Sequence, residues 1–145
     1  MPTVWTIGYE RLLPPELVAE LEAAGVERVI DVRFRPQSRR PGMSKTRLGD
    51  LLGAHRIAYE HRKALGTPPD LRHDFHAGRL ERARAGFREH VEATAPAALH
   101  QLAVELEGGP RTALLCLEAA PEGCHRRVLC EALAERLPAL RVIDL

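Results

Sequence analysis

The stretch TVWTIGYERLLPPELVAELEAAGVERVIDVR (residues 3–33) decides the fold. Its first six residues, TVWTIG, read as a buried strand that Gly8 ends. PPELVAELEAAGV follows with apolar residues at helical spacing, prolines in its first turn and Gly25 at its C-terminal cap. ERVIDVR then returns to strand character. Two apolar strands joined by one amphipathic helix favour parallel pairing through a right-handed crossover.

Working outward, FRPQSRRPGMSK (34–45) combines two prolines, a glycine and a cluster of cations, and so reads as irregular. A helix is expected over Lys45–Ala54 and a short third strand in RIAYEH (56–61), while KALGTPPDLRHDFHAG (63–78) again reads as loop. Residues 79–107 carry helical periodicity broken near Pro96, which gives two helices. RTALLCLE (111–118) is a strand, HRRVLCEALAERL (125–137) a helix and LRVIDL (140–145) a closing strand. The alternation predicts an α/β fold: a single three-layer domain over residues 1–145, with a mainly parallel sheet and helices on both faces.

The totals agree. A chain of 145 residues buries a core without staples. Three cysteines, an odd number, argue against a disulfide framework and for a reducing, cytoplasmic setting. No apolar run approaches the roughly 20 residues a bilayer demands, and the N-terminus lacks the apolar region of a signal peptide. No membrane partner is expected, and the oligomeric state is left open.

The net charge of +1 conceals an uneven distribution. Between Arg28 and His90 there are 15 lysines and arginines against 7 acids, and both flanks are acidic. Lys45 and Lys63 are the only lysines, so the cations are almost all arginine, whose planar fork suits phosphate and carboxylate. A general preference for arginine codons accounts for the bias as a whole, but less readily for its concentration mid-chain.

In open α/β sheets ligands bind beyond the carboxyl ends of the strands. The residues expected there are Gly8, Tyr9 and Glu10 after the first strand and Asp31, Arg33 and Arg35 after the second. Tyr59 and His61 follow the third, provided that it is parallel, and Cys116 and Glu118 close the fourth.

One loop concentrates the chemistry. LLCLEAAPEGCHRRVLCEAL (114–133) puts two cysteines, a glutamate and a Cys-His-Arg-Arg run where a strand passes to a helix. The first turn of that helix offers free N–H groups and a positive dipole end, which with Arg126 or Arg127 makes an anion pocket. Cys124, beside His125 and cations, has the surroundings of a nucleophile, and Glu118 those of an orienting group or general base. The duller readings stand beside these. Cys130 is a core residue, Cys116 sits in an apolar strand and reads as core before catalyst, His125 can simply cap the helix, and one of the two arginines is solvated.

Sharper motifs fail. A phosphatase or rhodanese loop places Arg six positions after the nucleophilic Cys, but Glu122 and Cys130 stand there after Cys116 and Cys124. Adjacent Cys124 and His125 make an awkward structural zinc pair, although zinc through Cys116, Cys124 and His61 is conceivable. No phosphate-cradling glycine loop or dinucleotide fingerprint is present. No metal and no cofactor are assigned.

Four separated motifs, TIGYE, VIDVRFRPQSRRPGMSK, IAYEHRKALG and LLCLEAAPEGCHRRVL, occur in that order and span most of the chain. In these it resembles the domain-of-unknown-function 488 family. The resemblance implies an α/β fold and a shared polar site from Thr6, Gly8, Asp31, Arg33, Ser38, Arg39, Tyr59, Gly66, Glu118, Cys124, His125 and Arg126. It implies no activity. Glu10 stands where the family typically carries Ser or Asn.

The expectation is an enzyme acting on a phosphate-bearing substrate, a nucleotide or nucleic acid. Asp31, Glu118, Cys124 and His125 are its candidate catalytic residues. Gly8, Tyr9, Arg33, Arg35, Ser38, Arg39, Tyr59, His61 and Arg126 are its candidate substrate-binding residues, with Arg40 as a further anion ligand. Two alternatives are a non-catalytic nucleic-acid-binding module, using Phe34, Tyr59 and Phe75 to stack bases, and a small-molecule sensor.

Overall fold

The computed structural model describes residues Met1–Leu145. Five strands, β1 (Thr3–Gly8), β2 (Arg28–Asp31), β3 (Ala58–His61), β4 (Thr112–Cys116) and β5 (Arg141–Asp144), form one sheet in the order β3-β2-β4-β1-β5. Every pairing is parallel, so all five carboxyl ends lie along one rim. Asp31 is in register with both His61 and Leu115, and Gly8 with Cys116. The expected three-layer α/β domain is the observed one, and the third strand is parallel as the reading of Tyr59 and His61 required.

Strand alternation divides the apolar residues between two cores. On one face Ile7, Val29, Ala113 and Leu115 pack against α1 (Pro14–Ala23) and α2 (Lys45–Ala54) through Leu17, Val18, Leu21, Leu48 and Leu52. On the other Val4, Ile30, Leu114 and Cys116 pack against α3 (Pro69–His76), α4 (Leu80–Thr94), α5 (Pro96–Gly108) and α6 (His125–Arg136). Cys130 lies in this second core, as its flanking leucines indicated. No helix is long and apolar enough to cross a membrane.

One expectation needs correcting. Residues 63–78, read as loop, contain α3 after a short 3-10 turn over Lys63–Leu65. The prolines that suggested loop occupy the start of that helix, where a missing N–H costs nothing, with Asp70 in the first turn and Gly78 in the left-handed region just beyond the end. Only Phe75 of α3 is buried, so there was little periodicity to detect.

Candidate functional site

The chain leaves β2 through α2 on one face towards β3, and leaves β4 through α6 on the other face towards β5. Neighbouring strands β2 and β4 therefore send their connections in opposite directions. That is a topological switch point, where the loops part and leave a crevice. A cleft of about 480 Å³, counting its open mouth, occupies the place. Its walls come from the loop after β2 (Arg33, Phe34, Arg35, Gln37), the loop after β4 (Cys116, Leu117, Glu118), and the start of α6 (Cys124, His125). Tyr9, Thr67, Arg72 and Phe75 complete it.

At its floor Cys116 ends β4, and Cys124 is the last extended residue before α6. Their sulfurs are joined as a disulfide, with the Cα atoms 7.6 Å apart. This corrects the expectation that the odd cysteine count argues against one: Cys130 is the cysteine left over. Glu118 joins them: one carboxylate oxygen and the two sulfurs all lie within 4.8 Å of one another. The Glu118 carboxylate is partly exposed and has His76 Nε2 at 3.6 Å.

His125 is fixed by its far nitrogen. Nε2 lies 2.7 Å from the Val32 carbonyl, which can only accept, so Nε2 carries the proton and Nδ1 presents a lone pair. That lone pair faces Cys124 Sγ at 3.5 Å. The edge of the Phe87 ring packs against the imidazole at 5.1 Å. Burial lowers the His125 pKa to about 4, with the Val32 carbonyl opposing and Arg126 reinforcing the shift, so the ring is neutral at pH 7. In the reduced protein this acceptor nitrogen is placed to take a hydrogen bond from the Cys124 thiol.

The arginines divide in a way the sequence did not foretell. Arg33 lines the cleft, but its fork is committed. Nε and Nη2 donate to the Asp31 carboxylate at 2.9 and 2.7 Å, and Nη1 donates to the Met43 carbonyl and Tyr9 hydroxyl. Arg40 donates to the carbonyls of Tyr9, Glu10 and Leu12, tying the loop after β1 to the loop after β2. Arg126 is fully buried and gives its hydrogen bonds to Thr6 Oγ1, Cys116 Sγ and the carbonyls of Glu118 and Ala119. Arg127, its neighbour, turns outward towards Glu122 and Asp144. Among the arginines of the cleft wall the free ones are Arg35 and Arg72, both exposed without ion pair or side-chain hydrogen bond. In the same cleft Thr67 Oγ1 is buried without a partner.

Of the candidate catalytic residues, Glu118, Cys124 and His125 come together in the cleft and Asp31 does not. Asp31 is fully buried, and its oxygens accept from the Arg33 side chain, the Arg33 N–H and the Tyr59 hydroxyl. Geometry makes it the brace of Arg33, in place of the catalytic role expected. Among the candidate binding residues, Tyr9, Arg33 and Arg35 line the cleft. Tyr59 and His61 stand behind the loop after β2, the one holding Asp31 and the other the Arg33 carbonyl at 2.7 Å. Ser38 braces the same loop through Ser44 and the Arg40 N–H, and Arg39 points to solvent away from the cleft. Gly8 is needed for close approach: a Cβ there would occupy the space of the Glu118 carbonyl. Gly66 is similar, since its Cβ would lie 2.5 Å from Phe34 Cα.

Two residues at the site escaped the sequence reading, and a third is placed by it without its role: Cys116 stands at the carboxyl end of the fourth strand but reads as core before catalyst. Thr67 and Arg72 lay in the stretch read as loop. Glu10, the departure from the family pattern, accepts from the Ala119 N–H at 3.0 Å and so helps hold the loop after β4.

Fold and site together define an α/β/α sandwich of parallel topology with a sulfur-lined polar cleft at its switch point. The family model for the domain of unknown function DUF488 matches residues 14–133, and the chain belongs to that family. No curated protein and no solved structure matches the chain.

Proposed function

We propose that this protein is an enzyme acting on a phosphate-bearing substrate, a nucleotide or a nucleic acid, in the switch-point cleft. The observation that carries the reading is a coincidence of two features in one crevice. Arg35 and Arg72 are uncompensated guanidinium groups on its wall, and the Cys116–Glu118–Cys124 cluster with His125 lies at its floor. Of the three arginines lining the cleft, Arg33 is committed to acceptors within the chain, so Arg35 and Arg72 are the ones with capacity for a ligand anion there. The unpartnered Thr67 hydroxyl in the same cleft supplies a donor that a phosphate oxygen would satisfy. Reacting chemistry then falls to Cys124 in its reduced form, with His125 Nδ1 as its hydrogen-bond partner, and to Glu118.

A non-catalytic nucleic-acid-binding module finds less support. Of its three expected stacking residues, Phe75 belongs to the core, the Tyr59 hydroxyl is bonded to Asp31, and Phe34 is capped by Lys63 Nζ at 4.6 Å from the ring centre. A sensor that binds without turnover would share the anion groups but leave the sulfur cluster idle.

The test is a screen of phosphate mono- and diesters, nucleotides and short oligonucleotides for turnover by the purified protein, with Cys124→Ser alongside. Turnover that Cys124→Ser abolishes is expected. Binding of phosphate compounds without any turnover would favour the sensor, and absence of binding at low salt would overturn the reading.

A further inference from the structure

We infer that Cys116, Glu118 and Cys124 form a binding site for a thiophilic divalent cation, with zinc as the fitting ion. The proposal deepens the reading above by naming what the cluster holds, and it stands on three independent observations. The first is donor geometry. Tetrahedral zinc with bonds of about 2.3 Å to sulfur and 2.0–2.2 Å to oxygen sets its ligand atoms roughly 3.5–3.8 Å apart. The two sulfurs and a Glu118 oxygen already share a space no wider than 4.8 Å. In the structure the two cysteines are joined as a disulfide, so the ion belongs to the reduced protein, in which the two sulfurs part to admit it.

The second observation is charge. Arg126 is a completely buried cation whose hydrogen bonds all go to uncharged oxygens except the one to Cys116 Sγ at 2.9 Å. Two thiolates and one carboxylate around a divalent cation carry one net negative charge, and Arg126 supplies the opposite one. A buried charge requires such compensation. Its N–H also lies where an outer-shell donor to a metal-bound thiolate belongs. The third observation is the surroundings of the other two donors. His76 Nε2 stands beside the Glu118 carboxylate, and His125 Nδ1 beside Cys124 Sγ.

Three ligands at the floor of an open cleft leave a fourth position facing the substrate space, the pattern of catalytic sites and not of closed structural ones. A water held there is acidified by the cation, and a phosphate oxygen of a ligand bound to Arg35 and Arg72 could take its place. In the metal-loaded protein Cys124 acts as a ligand, and its thiol proton leaves for solvent on binding.

The experiment uses the full chain, reduced and freed of metal with a chelator, then titrated with zinc alone and with cobalt(II) as a spectroscopic probe. One ion per chain is expected, with a sulfur-to-cobalt charge-transfer band and strong visible absorption of tetrahedral cobalt. Zinc should also protect Cys116 and Cys124 from alkylation, read peptide by peptide, which needs no variant. Glu118→Gln should keep the sulfur band and weaken zinc binding about tenfold or more, and Cys130→Ser should change nothing. Failure of the folded, reduced protein to take up zinc would overturn the proposal. So would zinc uptake that leaves Cys116 and Cys124 alkylated at the metal-free rate. Oxidation of the pair to a disulfide that zinc does not prevent would show a redox couple in its place. Zinc uptake and phosphate-substrate turnover are separate readouts, so the failure of one reading is distinguishable from that of the other.

Discussion

The guanidinium of Arg126 meets Cys116 Sγ at 2.9 Å in a place fully closed to water, and the same side chain spans Thr6 on β1 and the carbonyls of Glu118 and Ala119 after β4. It is the pin that holds the floor of the cleft. Arg126→Lys keeps the charge and loses the fork, which strands buried acceptors at a cost of about 1–3 kcal/mol each. Urea denaturation should therefore show a loss of at least ~2 kcal/mol. A variant as stable as the parent would remove Arg126 from this role.

Asp31 is assigned to bracing Arg33 and not to chemistry. Removing one partner of a buried pair leaves an uncompensated charge, so Asp31→Ala should destabilise by about 3–5 kcal/mol, measured by denaturant midpoint. Tyr59→Phe removes one hydrogen bond to the same carboxylate and should cost about 1 kcal/mol. Wild-type stability in Asp31→Ala combined with loss of turnover would restore the catalytic role.

His125 gives the fold a pH dependence whose sign is fixed. Its folded pKa is about 4, lowered by burial from the ordinary 6.5, so the unfolded chain binds the proton more readily. The neutral ring's contribution is complete above pH 6.5 and is lost as pH falls towards 4. At ~1.4 kcal/mol per unit the metal-free protein should lose roughly 3 kcal/mol over that window. His125→Gln should flatten this part of the profile, and an unchanged profile would contradict the assignment.

Glycine substitutions separate close approach from mere helix content. Gly8→Ala forces a methyl group into the Glu118 carbonyl and should unfold the protein or displace the loop after β4. Gly53→Ala, in α2 with no neighbouring atom within 4 Å, should be neutral or stabilise by up to about 1 kcal/mol. Thermal melts of the two variants provide the contrast.

Cys130 should be inert. Burial pushes its thiol up to about 12, with Asp144 adding to the shift. In native protein at pH 8 mass spectrometry should find Cys130 unalkylated, and in denatured protein fully alkylated. Labelling of native Cys130 would mean that α6 opens more readily than its packing indicates.

Most of the fold was legible because the patterning is local. TVWTIG, RVID and TALLC are apolar runs whose flanking glycines and helices leave one parallel arrangement, and the strand-end rule then carried Glu118, Cys124 and His125 to one rim. What stayed hidden depends on tertiary partners. No spacing reveals that Arg33 and Arg40 spend their donors on acceptors within the chain, nor that Arg126 is wholly buried, so these three were expected to hold an anion alongside Arg35. Arg72 and Thr67 were hidden by a helix too short and too exposed to show a period. Cys116 looked like core because it is core on its strand face, although it also lines the cleft.

The most direct test of the account is calorimetric binding of a nucleoside monophosphate and of inorganic phosphate at low salt, with Arg35→Ala/Arg72→Ala beside the parent. Both residues are exposed and unpaired, so the double variant should fold normally. The account predicts binding by the parent, weakened by added salt and reduced at least about tenfold in the variant, the effect of losing charged hydrogen bonds. Equal affinity in the two proteins, or no binding by the parent, would contradict it.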